Sequence, residues 1–296
     1  MLRIKSIAGI TLLCTTAVAL ASDTPAPKLN ITAAEVVSRN VTARGGLQAW
    51  RSVQSMTYQG KLGAGGNQRA TLPTPIPDKK ETALPTDPRP KEEVQLPFLM
   101  EMQRPHKQRI EVQFKGQAAV QVYDGENGWK LRPYLNRREV EPFTAEEQKA
   151  AAMETELDGP LIDYAVKGTR VELDGMEKVE DRDNYKLKLT MKDGRVVHLW
   201  IDSRTFLETK IEGRPRRLDG VDHPVEIYYR DYRPTTGLEI PYVLETKVLP
   251  VPNPKSKVKE NPIPVEKIVI ERVLVNPKFE ASLFSKPHID VASVSK

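Results

Sequence analysis

In the stretch YKLKLTM, residues 185–191, Tyr185, Leu187, Leu189 and Met191 fall on one side of an extended chain, and Lys186, Lys188 and Thr190 on the other. Residues 109–114 repeat the pattern: Ile110, Val112 and Phe114 alternate with Arg109, Glu111 and Gln113. Side chains of a strand point alternately to its two faces, so a period of two means a sheet with one buried and one solvated face. Sheets of that kind are antiparallel. After a first strand near 54–62, further strands are expected at 94–103, 106–115, 117–123, 128–132, 169–173, 184–191, 195–202, 206–212, 225–232, 239–248 and 265–275. Turn chemistry agrees with this spacing. Asp124-Gly125, Asp193-Gly194 and Asp219-Gly220 are hairpin or loop signals, and Lys115-Gly116 marks a further turn.

Helical segments interrupt the strands. Thr32 is an N-cap with Glu35 three residues on, the spacing of a capping box, and Val36, Val37, Val41 and Leu47 keep a helical period over 32–50. Gly45-Gly46 breaks or caps that segment, so two short helices are an alternative. Thr144 and Glu147 form the same box at the head of AEEQKAAAMETEL, which ends at Asp158-Gly159-Pro160. A further helical turn is expected over 160–166. A helix between two halves of one antiparallel sheet covers a sheet face or plugs the mouth of a half-barrel. Stretches 63–93 and 249–264 are rich in proline and poor in apolar side chains, so they read as long loops outside the sheet ladder.

The first 21 residues have a different layout. Arg3 and Lys5 form a positive head, an apolar run follows from Ile7 to Leu20, and Ala19-Leu20-Ala21 supplies small residues before a cut at Ser22. That is the pattern of a cleaved export signal. Residues 22–31 are expected to be a flexible start, 32–285 a single domain and 286–296 a tail. The one cysteine, Cys14, falls in the export signal and is preceded by Leu13, which argues against its lipidation. The exported chain then has no disulfide, thiolate nucleophile or Cys-ligated zinc, and its stability must come from a core. No later stretch resembles a membrane span.

Composition excludes several classes of function. Without Arg3 and Lys5 the chain carries 43 basic against 40 acidic residues, which gives no electrostatic case for nucleic-acid binding. There is no G-x-S-x-G elbow, H-E-x-x-H zinc helix, Walker loop or Gly-rich dinucleotide fingerprint. His106, His198, His223 and His288 are scattered. Asp158, Asp163, Asp181, Asp183 and Asp231 offer carboxylates for acid–base work, but most sit in turns, where Asp binds its own backbone. Trp50, Trp129 and Trp200 read as core anchors, with Trp129 and Trp200 also candidates to line a cavity. Arg109 could polarise the mouth of such a cavity, although alternation places it toward solvent.

Several motifs carry a resemblance. Gly45-Gly46 precedes the first strand, and Arg104-Pro105-His106-Lys107-Gln108-Arg109-Ile110-Glu111 follows R-P-x-K-x-R-x-E. Tyr123 to Trp129 follows Y-D-G-x-x-G-W, and Asp158 to Tyr164 follows D-G-P-L-x-D-Y. Asp231 to Pro241 follows D-Y-R-P-x-x-G-L-x-I-P, and Asn276, Pro277, Phe279 and Phe284 close the series. Their order over about 40–285 resembles the outer-membrane lipoprotein-sorting protein family, with its LolA/LolB-type fold. The Pro-rich stretches at 63–93 and 249–264 depart from that pattern and fall in loops that leave the sheet intact.

The resemblance implies a mainly β fold: an incomplete antiparallel β-barrel of about 11 strands, curved around an N-terminal and a central helix with a hydrophobic cavity inside. It implies a non-enzymatic periplasmic carrier that shields the acyl chains of a lipoprotein or lipid on the way to the outer membrane. An inner-membrane transporter or outer-membrane acceptor is then the expected partner, and the chain is expected to be a soluble monomer with no cofactor and no metal. A periplasmic lipid- or protein-sensing module acting with a membrane partner is the alternative. The residues nominated for the cavity are Leu99, Ile110, Val112, Phe114, Val122, Trp129, Leu187, Leu189, Leu199, Ile201, Ile227 and Tyr229. Alternation assigns each to one face of its strand without saying which face is concave.

Overall fold

The computed structural model describes residues 31–65, 93–133, 137–218, 220–251 and 263–287. The expected export signal, residues 22–30 of the expected flexible start, most of both Pro-rich stretches and the tail from 288 lie outside the described residues.

The first meander comprises β1 (Ser55–Gly65), β2 (Glu93–Gln103), β3 (Lys107–Phe114), β4 (Gln117–Tyr123), β5 (Gly128–Arg132) and β6 (Arg137–Pro142). The second comprises β7 (Arg170–Val179), β8 (Arg182–Thr190), β9 (Val196–Asp202), β10 (Glu208–Leu218), β11 (Val221–Thr235), β12 (Leu238–Val248) and β13 (Glu266–Val275). β1 pairs with β13, which fuses the meanders into one 13-stranded antiparallel sheet with β6 and β7 at its edges. The edges do not meet, so the sheet is an open half-barrel.

The expected strand count falls short mainly because of β6. Its sequence, RREVEP, has one clearly apolar residue and so no alternation to read. The second meander also has longer strands than expected. Register shifts between Leu173 and Met176 and between Gly213 and Arg216 break the period of two while pairing continues. Lys115-Gly116, Glu180-Asp181 and Thr236-Gly237 each have positive φ at both residues, the geometry of the tight hairpin turn that matches strand twist.

The N-terminal helical segment is two helices, α1 (Ala33–Ala43) and α2 (Leu47–Ser52). Thr32 caps α1 by accepting from the Glu35 N–H, whereas the Glu35 side chain pairs with Arg39 rather than completing the box. Gly45 makes the break. Its φ is +111°, and a Cβ there would lie 2.3 Å from the Gly237 carbonyl oxygen, so only glycine lets this corner rest on the β11–β12 turn. The central helix α3 (Ala145–Glu154) has the complete Thr144–Glu147 box but ends earlier than expected, capped by Thr155. Residues 161–168 form consecutive turns instead of the expected helical turn. Pro160 lacks an N–H, and Asp163 takes a left-handed φ of 51°.

One sheet face carries the helices. Trp50, Val53, Leu157 and Ile162 pack there on Met56, Met102, Leu238, Ile240 and Val273. Val36, Val37 and Leu161 pack on Leu187, Leu189, Leu199 and Ile201. The opposite face is also covered in places. Phe279, Leu283 and Phe284, around a short 3-10 turn at Ala281–Phe284, pack on Val120, Val122, Trp129 and Leu131. Among the described residues no helix is long and apolar enough to cross a membrane.

Candidate functional site

The helix-bearing face forms a trough whose lining follows from register, because residues directly opposite on paired strands share a face. Tyr58, Met100 and Ile110 stand opposite one another across β1, β2 and β3, and Gly60, Phe98 and Val112 form the next rank. Leu62, Ile268, Leu244 and Tyr229 continue across β1, β13, β12 and β11. Ile227, Ile211, Leu199, Leu187 and Leu173 complete the face across β11 to β7.

This places each nominated residue. Ile110, Val112, Phe114, Leu187, Leu189, Leu199, Ile201, Ile227 and Tyr229 lie on the inner face. Leu99, Val122 and Trp129 lie on the outer face, since Leu99 opposes Glu111, and Val122 opposes both Arg109 and Trp129. Val122 and Trp129 are apolar because the C-terminal segment covers them. The inner residues divide again. Leu187, Leu189, Leu199 and Ile201 are filled by the chain's own α1, whereas Ile110, Val112, Phe114, Ile227 and Tyr229 stay only partly buried. Leu62, Met100, Leu244 and Ile268 belong to this half-open part of the trough.

A polar clamp fixes the turns of 155–168 beneath α2. Asp158 is buried, and its Oδ2 accepts from Arg104 Nη2 at 2.6 Å while its Oδ1 accepts from Lys167 Nζ at 2.6 Å. Arg104 also donates to the carbonyls of Val53 and Trp50, and Arg44 Nη1 donates to the Asp158 carbonyl at 2.8 Å. Arg51 holds Asp163 through two hydrogen bonds, which lower the Asp163 pKa. Sequence reasoning did not single out Arg104 for this role. The doubled R-P and D-G-P signals sit at its two ends, but nothing local shows that they meet.

A second polar group lies inside the trough. Arg44 and Glu208 are 8% and 6% exposed, with Nη1 to Oε1 at 3.3 Å. The Arg44 guanidinium stacks 4.3 Å from the Trp50 ring centroid. Tyr232 donates to the Glu208 carboxylate at 3.1 Å. Burial pushes the Tyr58 phenol up to about 12, partly offset by the Arg44 charge, and raises Tyr229 and Tyr232 as well.

The remaining candidates take other roles. Arg109 is on the outer face with Glu101 and Glu111. His106 meets the Thr155 carbonyl, His198 meets Glu212, and His223 meets the Leu249 carbonyl, so they do not converge; His288 lies outside the described residues. Trp200 is buried on the outer face under Lys210, 3.9 Å from its ring centroid. Among the described residues no cluster of three or more His, Cys, Asp or Glu is placed to hold a metal ion. A polar cleft of about 460 Å³ beside Pro105, Asp124 and Phe284 lies at the turns, apart from the apolar row.

No family model matches the chain, and no curated protein matches it in sequence. Solved structures do match. The LolA superfamily protein NE2245 from Nitrosomonas europaea is 13% identical, with a TM-score of 0.51 over 86% of this chain and 98% of its own. A putative outer membrane lipoprotein-sorting protein domain from Vibrio parahaemolyticus is 10% identical, with a TM-score of 0.48 over 85% of this chain and 95% of its own. A DUF1329 family protein from Desulfovibrio piger is 11% identical, with a TM-score of 0.49 over 85% and 96%. Taken with the open 13-stranded sheet and its helices, the first of these likenesses shows that this chain has a LolA-like fold.

Proposed function

We propose that the chain is a non-enzymatic carrier that shelters acyl chains of a lipid or lipoprotein in its trough. The observation that carries this reading is the half-open apolar row: Leu62, Val112, Ile268, Leu244 and Ile227 line the inner face beyond the residues that α1 and α2 bury. An acyl chain gains about 0.8 kcal/mol for each CH₂ moved out of water, so a row of this kind can hold a lipid without any covalent step. With the export pattern of residues 1–21, the reading places the protein in the periplasm. It would receive cargo from an inner-membrane transporter and pass it to an outer-membrane acceptor.

A diazirine-bearing fatty ester, photolysed on the purified protein, tests this. Labels are expected on peptides that contain Val112, Leu244 and Ile268. No labelling, or labelling confined to the outer face around Trp129 and Trp200, overturns it.

A further inference from the structure

An ion pair bridges four strands on the inner face. Arg216 Nη1 and Nη2 donate to Glu266 Oε1 and Oε2, each at 2.7 Å. Arg216 stands in β10 and Glu266 in β13, so β11 and β12 lie between them. Register puts both on the trough side. Glu266 opposes Thr246, and Thr246 opposes the inner-face Ile227. Arg216 opposes His223, two residues from Val225 in β11, and Val225 opposes Gly213 and Val248. Three inter-strand steps measure about 14 Å along a sheet, a gap that two side chains close across a concave face. The pair therefore passes over the strands that carry Val225 and Val248. These valines are 5% and 6% exposed, although neither belongs to the cores under α1 and α2. The half-open row, with Ile227, Leu244 and Ile268, begins beside it.

We propose that Arg216 and Glu266 form a strap across this end of the trough, which opens when an acyl chain enters or leaves. The proposal rests on the carrier reading and adds how exchange at that site is controlled. Two parallel charge-assisted hydrogen bonds hold the strap closed and fix both side chains. Little else holds it. Among the described residues neither side chain makes another hydrogen bond or ion pair. The side chains are 26% and 18% exposed, so water can take over both charges when they part. Arg44 and Asp158 lack that freedom, because each is buried and serves further protein partners. Opening the strap therefore costs little more than one partly exposed ion pair, and it widens access to the row at Ile227 and Leu244.

Stopped-flow binding of methyl cis-parinarate to the purified full chain tests the strap. This fluorescent probe is uncharged, so a rate change cannot come from attraction between the probe and Arg216. Association is read on mixing, and dissociation on adding excess lipid vesicles as acceptor. Glu266→Gln and Arg216→Met should each raise both rates by about two- to fivefold, the weight of one partly exposed ion pair. Kd should change by less than the rates, because the strap limits passage more than the bound state. Raising salt from about 0.01 M to about 1 M shortens the screening length from about 30 Å to about 3 Å. Wild type should then speed up toward the variants, whose own rates should stay flat. Thermal melts confirm that the variants fold, and the salt series on wild type decides the matter if they do not. Unchanged rates in both variants, a rise in dissociation alone with Kd rising in step, or no effect of salt on wild type refutes the strap while sparing the carrier reading. Failure of the probe to bind wild type overturns both.

Discussion

Replacing Asp158 with asparagine keeps the shape of the clamp and removes its charge. Asp158 is 3% exposed and receives Arg104 and Lys167, each at 2.6 Å. Removing one partner of a buried pair costs about 3–5 kcal/mol, because the remaining charges stay desolvated. Here the side chains of Arg104 and Lys167 are 33% and 20% exposed, so solvent relieves part of that cost. Lys167 also keeps Glu156 at 2.7 Å. The expected loss is about 2–3 kcal/mol. For a chain of this size each kcal/mol moves Tm by about 2–4 °C, so Asp158→Asn should melt roughly 4–12 °C lower. Thermal melts followed by circular dichroism read this directly. Lys167→Met should lower Tm as well, and the double variant should lose less than the sum, because both changes act on one network. A Tm within about 1 °C of wild type for Asp158→Asn, or full additivity in the double variant, refutes the clamp as described.

Three further outcomes are expected. Leu199→Ala empties a site 1% exposed between Leu187 and Ile211, and should cost about 2–4 kcal/mol, or roughly 4–16 °C in a thermal melt. Ile110→Glu, on the partly exposed inner row, should cut acyl photolabelling about tenfold with an unchanged circular dichroism spectrum, since a chain in the trough would desolvate the new carboxylate. Hydrogen bonds from Arg230 hold the Glu180 carboxyl below its usual range, and those from Arg51 do the same for Asp163. A folded pKa below the unfolded value gives stability that is present above about pH 4 and lost as pH falls through the folded values. Tm should therefore be flat from neutral pH to about 5 and fall below about 4, with a shallower fall in Arg230→Gln.

The sheet was legible because local chemistry encodes it. Alternation in 109–114 and 185–191 and the Asp-Gly turns mark strands without reference to the rest of the chain. β6 was not, since its only signal is pairing with β5. The inner face was legible only in part. A period of two assigns Val122 and Trp129 to an apolar face, but that face is apolar because Phe279 and Phe284, more than 140 residues away, cover it. Leu99 shows the same limit: its outward direction follows from pairing with β1 and β3. The polar groups of the trough were the least visible. Arg44 and Glu208 are 164 positions apart, and Arg104 meets Asp158 across 54, so both pairs exist only once the half-barrel closes over its helices.

The central claim is that the trough holds an acyl chain. Native mass spectrometry of the protein, purified from cells without detergent and followed by lipid extraction, tests it most directly. The account predicts one acyl-bearing molecule per protein chain, released on unfolding and depleted in Ile110→Glu. Bare protein in every preparation, with no acyl species in the extract and none taken up when a lipid is supplied, would contradict it.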